Sequence, residues 1–325
     1  MMKILVIQPL RAEALALFEE RSDVSYEVVT DFSKENLVAR VAEAVAITVR
    51  DAPLPIEVLA AAPNLRIVSR HGVGYDNIPV DYCTGRGVPV TVVGDVNAIS
   101  VAEQTMFLML AAARGGIRLD AAIRAGDFGA RSRLIGVELR GRTLLIVGFG
   151  RIGREVARRA TAFGMHILVH DPFASRADPA GARFVERLED GLATADILTL
   201  HVPLSKATRH LISAAALKAL RPGAIVINAA RGGIIDEAAL VEALETGHVR
   251  SAGLDTFEVE PLPATHPLVA DRRVVLSPHS AALTEESLLA MGIMTARNAL
   301  AGIDGVLDPT LVVNPSVLKV ATDAQ

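Results

Sequence analysis

The strongest chemical signal in the sequence is a glycine loop, Val147-Gly148-Phe149-Gly150-Arg151-Ile152-Gly153. It follows the aliphatic run Thr143–Val147 and opens a helical pattern, Arg154–Phe163. In that context Gly148 permits a tight turn and Gly150 lets the backbone approach a pyrophosphate. Gly153 lets the helix pack closely, and the free N–H groups of the helix start, at Arg151 and Ile152, face the anion. Asp171 closes the next strand-like run, 18 residues beyond Gly153. A carboxylate at that spacing accepts ribose hydroxyls and repels a 2′-phosphate, which favours NAD over NADP. The competing reading is a packing turn in an unrelated α/β protein.

Three further residues have types suited to proton transfer or carboxylate binding. His279 follows the run Val274–Ser277 within Pro278-His279-Ser280, and an imidazole exchanges protons near neutrality. Taken alone, a histidine at a strand end is more often structural. Arg231 follows Ala224–Asn228 among small neighbours, Ala229, Ala230, Gly232 and Gly233, which leave room for a planar carboxylate beside a guanidinium. The alternative is a surface arginine in a turn. Asp255, Glu258 and Glu260 crowd one loop, and any of them could partner an imidazole; spacing does not choose among them.

The elements that must position these residues follow from composition and pattern. Of 325 residues, 51 % are hydrophobic and 22 % charged, enough for a packed core. Lys and Arg number 33 against 37 Asp and Glu, a net charge of −4, and no basic stripe stands out, which argues against a nucleic-acid binder. No apolar run reaches the length of a membrane span, and Met1-Met2-Lys3 followed by Ile4–Ile7 reads as a first strand and not a signal peptide. A cytoplasmic protein is the expectation. One cysteine excludes an internal disulfide framework and a cysteine-cluster zinc site, and no HExxH stands among the 8 scattered histidines, so no metal is expected.

Short aliphatic strands alternate with helices, which predicts α/β architecture with mainly parallel sheets. Strands are expected at 3–7, 44–49, 66–69, 88–93, 142–147, 166–170, 196–200, 224–228, 250–253 and 274–277. Helices are expected at 13–21, 56–62, 80–86, 120–124, 153–163, 213–220, 237–246 and 285–301. The long apolar stretch Val101–Arg114 is a helix with Ser100 and Glu103 spaced as a capping box, which accounts for Ser100 as a cap. Two nests of βα units meet near residue 100, and 309–325 forms a tail that could return to the first, its last residues fraying.

Taken together, these segments resemble the D-isomer-specific 2-hydroxyacid dehydrogenases, with phosphoglycerate dehydrogenases and hydroxypyruvate/glyoxylate reductases as the nearest branches in appearance. The resemblance rests on His71–Ile78, Asn97–Glu103, Gly141–Gly164, His201-Val202-Pro203-Leu204, Asn228–Gly233, Gly253–Pro261 and Ser277–Ala282, and covers roughly residues 3 to 315. It implies two Rossmann-like domains with the active site in the cleft between them. Residues 1–99, completed by 285–325, would be the substrate domain, and 100–284 the NAD-binding domain.

The resemblance also assigns roles. His279 becomes the acid/base, Glu260 its partner and Arg231 the clamp on the substrate carboxylate. Asp255 goes to the cofactor side near the nicotinamide. His201, Pro203, Thr208, Ala229, Ala230 and His279 join the cofactor contacts. Gly72, Val73 and Gly74 offer backbone contacts to the carboxylate, while Asp76 and Asn77 organise that loop. Arg50 and Arg70 resemble the extra cations that a phosphorylated acid requires, which makes 3-phosphoglycerate/phosphohydroxypyruvate the first substrate expectation. His71 and Tyr75 look more like a reductase, so hydroxypyruvate, glyoxylate or another 2-keto acid is the alternative. Arg131 and Arg133 lie where relatives reach toward a partner's site, although Phe128 replaces the family's tryptophan there. A homodimer through the 101–113 helix is implied, and no room is left by residue 325 for a serine-binding regulatory domain. A different class, an NAD(H)-sensing corepressor-like regulator, shares parts of the Arg231, Glu260, His279 set.

Overall fold

Strands that stay hydrophobic at consecutive positions are buried on both faces, and such strands form the frame of this protein. The computed structural model describes residues 1–175 and 181–318; the sequence expectation for 319–325 lies outside them. The chain divides into two units, Met1–Asn97 with Thr284 onward, and Ala98–Leu283.

In the first unit, β1 (Met2–Ile7), β2 (Val24–Val29), β3 (Ala44–Val49), β4 (Ile67–Arg70) and β5 (Val90–Thr91) form a parallel sheet in the order β2-β1-β3-β4-β5. The two-residue period sorts β1 onto opposite faces. Leu5 and Ile7 pack with Leu37 and Val58, while Ile4 and Val6 pack with Phe18 and Ala296. Full burial of each such side chain is worth about 1.5–3 kcal/mol. The helices are α1 (Ala12–Glu19), α2 (Lys34–Val41), α3 (Ile56–Ala60), α4 (Val80–Gly85) and, after the chain returns, α12 (Glu285–Asp304). Thr284 caps α12 by accepting the Ser287 N–H at 3.2 Å, and Gly305 ends it at φ 74°.

Local pattern marks no element between residues 21 and 44, yet β2 and α2 lie there. β2 is an edge strand with only Val24 and Val29 buried, so it lacks the continuous apolar run that marks its neighbours. The strand expected over 88–93 shortens to β5. Pro89 has no N–H to give, and the Val92 N–H bonds outside the sheet, to the Leu311 carbonyl at 3.0 Å.

The second unit holds α5 (Ala98–Arg114), α6 (Gly116–Arg124), β6 (Thr143–Val147), α7 (Arg151–Ala162), β7 (His166–His170), β8 (Arg183–Phe184), α8 (Leu188–Leu192) and β9 (Ile197–Leu200). It continues with α9 (Ala214–Ala219), β10 (Ala224–Asn228), α10 (Glu237–Glu245), β11 (Val249–Leu254), α11 (Pro267–Ala270) and β12 (Val274–Leu276). Its parallel sheet runs β12-β11-β10-β9-β6-β7-β8. Strand order reverses between β6 and β9 here, and between β1 and β3 in the first unit. In open α/β sheets such switch points are where loops part to admit ligands.

Ser100 does not cap α5. The helix begins at Ala98, so Ser100 sits in its first turn, and buried. The apolar character of α5 is explained inside its own unit: Ala102, Leu108 and Met109 are fully buried in the core shared with β6 and β10. A Cβ on Gly253 of β11 would come within 2.8 Å of the Leu108 Cβ, so glycine is what lets strand and helix meet.

α12 meets β4 in the same way. A Cβ on Gly302 would lie 2.3 Å from Ile67 Cδ1 and 2.6 Å from its rigid Cβ. Gly302→Val is expected to destabilise the protein by about 1–3 kcal/mol through overpacking, read as a lower urea midpoint with unchanged slope; an unaltered midpoint would contradict this packing.

Candidate active site

The glycine loop sits at the β6–β9 switch point and each glycine has a different reason. Gly148 takes φ 94°, and a Cβ there would lie 2.5 Å from the His201 carbonyl oxygen at the end of β9. A Cβ on Gly153 would lie 2.2 Å from the Gly148 oxygen. Gly150 differs: a Cβ there would meet nothing within 4 Å. Protein packing does not require glycine at 150, while a group lying against the loop would. Gly150 is the N-cap of α7 and no side chain caps the helix, so its first turn, including Arg151 and Ile152, has the uncapped N–H groups that suit an anion. Arg154 lies over the Phe149 ring at 4.7 Å.

Asp171, at the end of β7, accepts the Phe149 N–H at 2.7 Å and the N–H groups of Phe173 and Ala174 at 2.8 and 3.1 Å. It therefore ties the second strand's end to the glycine loop. His201 points its imidazole inward: Nε2 lies 3.0 Å from Thr199 Oγ1, burial pushes its pKa down to about 3, and Nδ1 is enclosed without a partner. Only a neutral ring fits there, so its carbonyl, not a charge, faces the loop. Thr208 donates to the Pro203 carbonyl at 2.6 Å and accepts the Ser205 N–H at 2.8 Å, which closes the turn after β9. Ala229 and Ala230 continue from β10, where Asn228 accepts the Ala230 N–H at 3.0 Å. These residues fit a dinucleotide: an open backbone cradle, an uncapped helix start and a carboxylate at the second strand's end.

The loops after β10, β11 and β12 bring Arg231, Glu260 and His279 together and separate the three acids that spacing left equal. His279 Nδ1 lies 2.8 Å from Glu260 Oε2, and Glu260 Oε1 accepts the Phe257 N–H at 2.9 Å. The Glu260-Pro261 peptide is cis. Glu258 faces elsewhere: it accepts the Glu237 N–H at 3.1 Å, its own N–H donates to Glu237 Oε1 at 2.7 Å, and His210 Nε2 lies 3.1 Å from it. Burial pushes Glu237 above the usual carboxylate range. A Cβ on Gly232 would come within 1.8 Å of the Phe257 carbonyl oxygen, so the Arg231 loop lies directly on the loop of Glu260.

Electrostatics within this cluster point one way. Burial pushes Glu260 up, but the hydrogen bonds from His279 and Phe257 and the charges of His279 and Arg231 outweigh it and hold it below its ordinary value. The Glu260 hydrogen bond raises His279 above 6.5 against burial and the Arg231 charge. Arg231 donates Nη1 to the Ala230 carbonyl at 2.7 Å, and Asn228 Nδ2 donates to the Arg231 carbonyl at 2.8 Å.

Asp255 departs from its expected place at the cofactor. Its residue is fully buried, and its carboxylate accepts Ser277 Oγ–H, the Ser280 N–H at 3.0 Å and the Ala281 N–H at 2.9 Å. The His279 N–H donates to the Asp255 carbonyl at 2.7 Å, which pins His279 at φ 51°, a region non-glycine residues seldom occupy. Asp255 is thus a positioning group for His279. Sequence reasoning missed Ser277 and Gln104, whose Nε2 donates to Ser277 Oγ at 3.0 Å; nothing in local pattern marks either.

In the first unit, Arg50 follows β3 beside its own switch point, while Arg70 ends the next strand, β4, and the glycines 72 and 74 follow it. Gln8 Oε1 accepts the N–H groups of Asp51 and Ala52 at 2.7 and 2.9 Å, and Asn77 Nδ2 donates to the Arg50 and Ala52 carbonyls at 3.1 and 2.8 Å. Asn77 organises the loop as expected; Gln8, at φ 72°, was not foreseen. Arg50 pairs with Asp51 at 2.7 Å. Arg70 is 8 % exposed and its guanidinium lies on the His71 carbonyl and on Asp51 at 3.4 Å. It also packs under Gly72, at φ 147°, whose added Cβ would lie 3.0 Å from Nη1. Arg70 is therefore a buried strut of the loop, contrary to the expectation of an open substrate cation. Burial, with the Arg50 charge, pushes His71 down to about 4. Val73 and Gly74 are partly exposed. Arg131 lies over Phe128 at 4.7 Å and Arg133 pairs with Asp127, both exposed in the stretch after α6.

Removing the Asp255 carboxylate would strand three donors, one buried and two part-buried. Asp255→Ala is expected to lower stability by about 2–4 kcal/mol, measured by urea unfolding, and to lower kcat more than it weakens dinucleotide binding. Wild-type stability would show that these hydrogen bonds do not hold the loop.

The family model described as D-isomer specific 2-hydroxyacid dehydrogenase, NAD binding domain, matches residues 106–281. A D-3-phosphoglycerate dehydrogenase of Methanocaldococcus jannaschii is 41 % identical over 98 % of this chain, which spans 60 % of that relative's length. A glyoxylate reductase of Aeropyrum pernix is 40 % identical over 98 % of this chain and 97 % of its own. The solved structure of an NADPH-dependent glyoxylate/hydroxypyruvate reductase of Sinorhizobium meliloti superposes with a TM-score of 0.89 at 30 % identity, covering 99 % of both chains. The sequence segments, the parallel sheets and these matches agree: the chain belongs to the D-isomer-specific 2-hydroxyacid dehydrogenase family.

Proposed function

We propose that the protein is an NAD-dependent oxidoreductase that interconverts a small D-2-hydroxy acid and its 2-keto acid. The observation that carries this reading is the His279–Glu260 pair at 2.8 Å, held beside Arg231 by three loops of one sheet. A bound nicotinamide dinucleotide would supply or accept the hydride at C2.

The chain's own residues do the rest. His279 Nδ1 faces a carboxylate, so Nδ1 keeps its hydrogen and Nε2 is the atom that gives or takes the substrate proton. Because Glu260 raises His279, the imidazolium persists above pH 6.5 and serves as the acid for keto-acid reduction. In the reverse direction the neutral ring takes the hydroxyl proton, and Glu260 stabilises the charge it acquires. Arg231 grips the substrate carboxylate and polarises the carbonyl oxygen. Gly148, Gly150 and the start of α7 receive the pyrophosphate, and Asp171 the ribose. The carboxylate of Asp171 favours NAD, although a relative named above is NADPH-dependent.

Among 2-keto acids, the arrangement around Asp51 favours an unphosphorylated one. Arg50 and Arg70 share the Asp51 carboxylate, and Arg70 is buried, so neither stands as an open cation for a phosphate. The relatives' names include both classes. A homodimer is part of the same reading, supported by exposed Phe107, Ile117, Ile123, Phe128 and Ile135. Among the described residues no helix is long and apolar enough to cross a membrane.

Two measurements test this. Steady-state reduction of glyoxylate, hydroxypyruvate and phosphohydroxypyruvate with NADH and with NADPH is expected to favour NADH and an unphosphorylated acid. A tenfold preference for phosphohydroxypyruvate (about 1.4 kcal/mol) would restore the phosphorylated substrate, and no turnover with any of them would sink the enzyme reading. The pH profile tests the acid: reductive kcat/KM is expected to fall as His279 loses its proton on the alkaline side, and Glu260→Gln to move that fall to lower pH. An unmoved limb would remove Glu260 from this role.

A further inference from the structure

Glu237 carries a buried carboxylate that neither proton transfer nor the dinucleotide cradle uses. It is the first residue of α10, and only 8 % of it is exposed. Its backbone and its side chain meet the same neighbour. The Glu237 N–H donates to Glu258 Oε1 at 3.1 Å, and the Glu258 N–H donates to Glu237 Oε1 at 2.7 Å. Each glutamate accepts the other's backbone N–H, so the two bonds close a ring between the start of α10 and the loop after β11. An imidazole flanks each acid: His266 Nε2 lies 3.4 Å from Glu237 Oε2, and His210 Nε2 lies 3.1 Å from Glu258 Oε1.

An acid in the first turn usually serves the helix itself. Here Asp236 already caps α10, accepting the Ala239 N–H at 3.0 Å, and the Glu237 oxygen goes to a separate loop. Its position is unfavourable for a charge. Burial and the charges of Glu258 and Glu260 push it above the usual carboxylate range, against the Glu258 N–H and His266. What the carboxylate adds is a fixed point two residues before Glu260. The Phe257 carbonyl lies against Gly232, the Phe257 N–H goes to Glu260, and the Glu258 N–H ties the same segment to α10. From that fixed backbone the Glu260 side chain reaches His279 Nδ1 at 2.8 Å. Such a bond weakens steeply when its length or angle departs from the preferred range.

We propose that Glu237 is a positioning residue for the proton-transfer pair: by holding the Glu258 N–H it sets where the loop presents Glu260 to His279. The proposal rests on the oxidoreductase reading only for its kinetic readout. The groups acting on the His279 proton are Glu260 and Asp255, which favour it, and Arg231, which opposes it. Glu237 works on that proton through the Glu260 bond. Without its carboxylate the loop relaxes, the contact loosens and the imidazole holds its proton less tightly. Asp255 fixes the histidine side of the pair, and Glu237 the carboxylate side.

The test titrates the intact protein by histidine-selective NMR, with the His279 signal assigned by its absence in His279→Gln, beside the pH profile of reductive kcat/KM. Glu237→Ala is expected to lower the His279 proton affinity threefold or more, about half a pH unit. The alkaline fall of kcat/KM should move down by the same amount, with NADH affinity within twofold of wild type. Glu237→Gln keeps an oxygen at the same reach and is expected to stay close to wild type in both readouts. Added to Glu260→Gln, Glu237→Ala should shift neither readout further, because the bond it acts through is already altered. Asp236→Ala uncaps α10 and leaves Glu258 untouched, so it should leave both readouts in place. If Glu237→Ala does not fold, Glu237→Asp, shorter by one methylene, is expected to move them in the same direction. An unmoved titration in the Ala or Asp variant, an equal move in Asp236→Ala, or a full further shift on top of Glu260→Gln would overturn the proposal. Absence of turnover in the wild type would count against the oxidoreductase reading, and the NMR titration, read without substrate, would still decide the role of Glu237.

Discussion

A buried carboxylate holds the cluster of Arg231, Glu260 and His279 in shape. Asp255 has no solvent exposure, and its two oxygens collect a hydroxyl and two backbone N–H groups from residues 277–281. The carboxylate is closed off from water, so leaving it unmatched would cost far more than the net worth of one hydrogen bond. The loop after β12 therefore has one favourable path over the end of β11. On that path His279 adopts its left-handed backbone and its ring comes within 2.8 Å of Glu260. The imidazole's raised pKa is a consequence of that position, not a property of the histidine.

Close backbone approach does the same work on the dinucleotide side. Gly148 against the His201 carbonyl and Gly153 against Gly148 are contacts no side chain would permit. They stack the ends of neighbouring strands and helices so tightly that the loops at the β6–β9 reversal have little freedom. Gly150 stands apart because the space beside it is empty of protein atoms. Packing and ligand access thus divide the glycines of one motif between them.

Charge is handled differently in the two units. In the first, Asp51 stands between Arg50 and Arg70 and answers both, and Gln8 and Asn77 fix the backbone around it. In the second, Arg231 lies close enough to Glu260 and His279 to act on both: its charge favours the carboxylate and opposes the imidazolium. The Glu260 hydrogen bond wins at His279, because a direct contact outweighs a charge acting over a longer distance.

The sequence by itself determined the α/β class, the central strands, the glycine loop and its helix, and the family resemblance. Continuous aliphatic runs and a GxGxxG in strand–loop–helix context are local signals, written in consecutive residues. It did not mark β2, whose edge position leaves a polar face, nor the true start of α5, where Ser100 and Glu103 imitate a cap. From residue types alone Asp255, Glu258 and Glu260 were equivalent, and only the resemblance favoured Glu260. Tertiary structure decided among them by giving each a different partner: the loop of residue 279, the N-terminus of α10, and the imidazole itself. It also turned Arg70 from an open cation into a buried strut. These outcomes depend on which distant segments lie within about 3 Å of a side chain, the reach of a hydrogen bond, and no local pattern in the sequence encodes that distance.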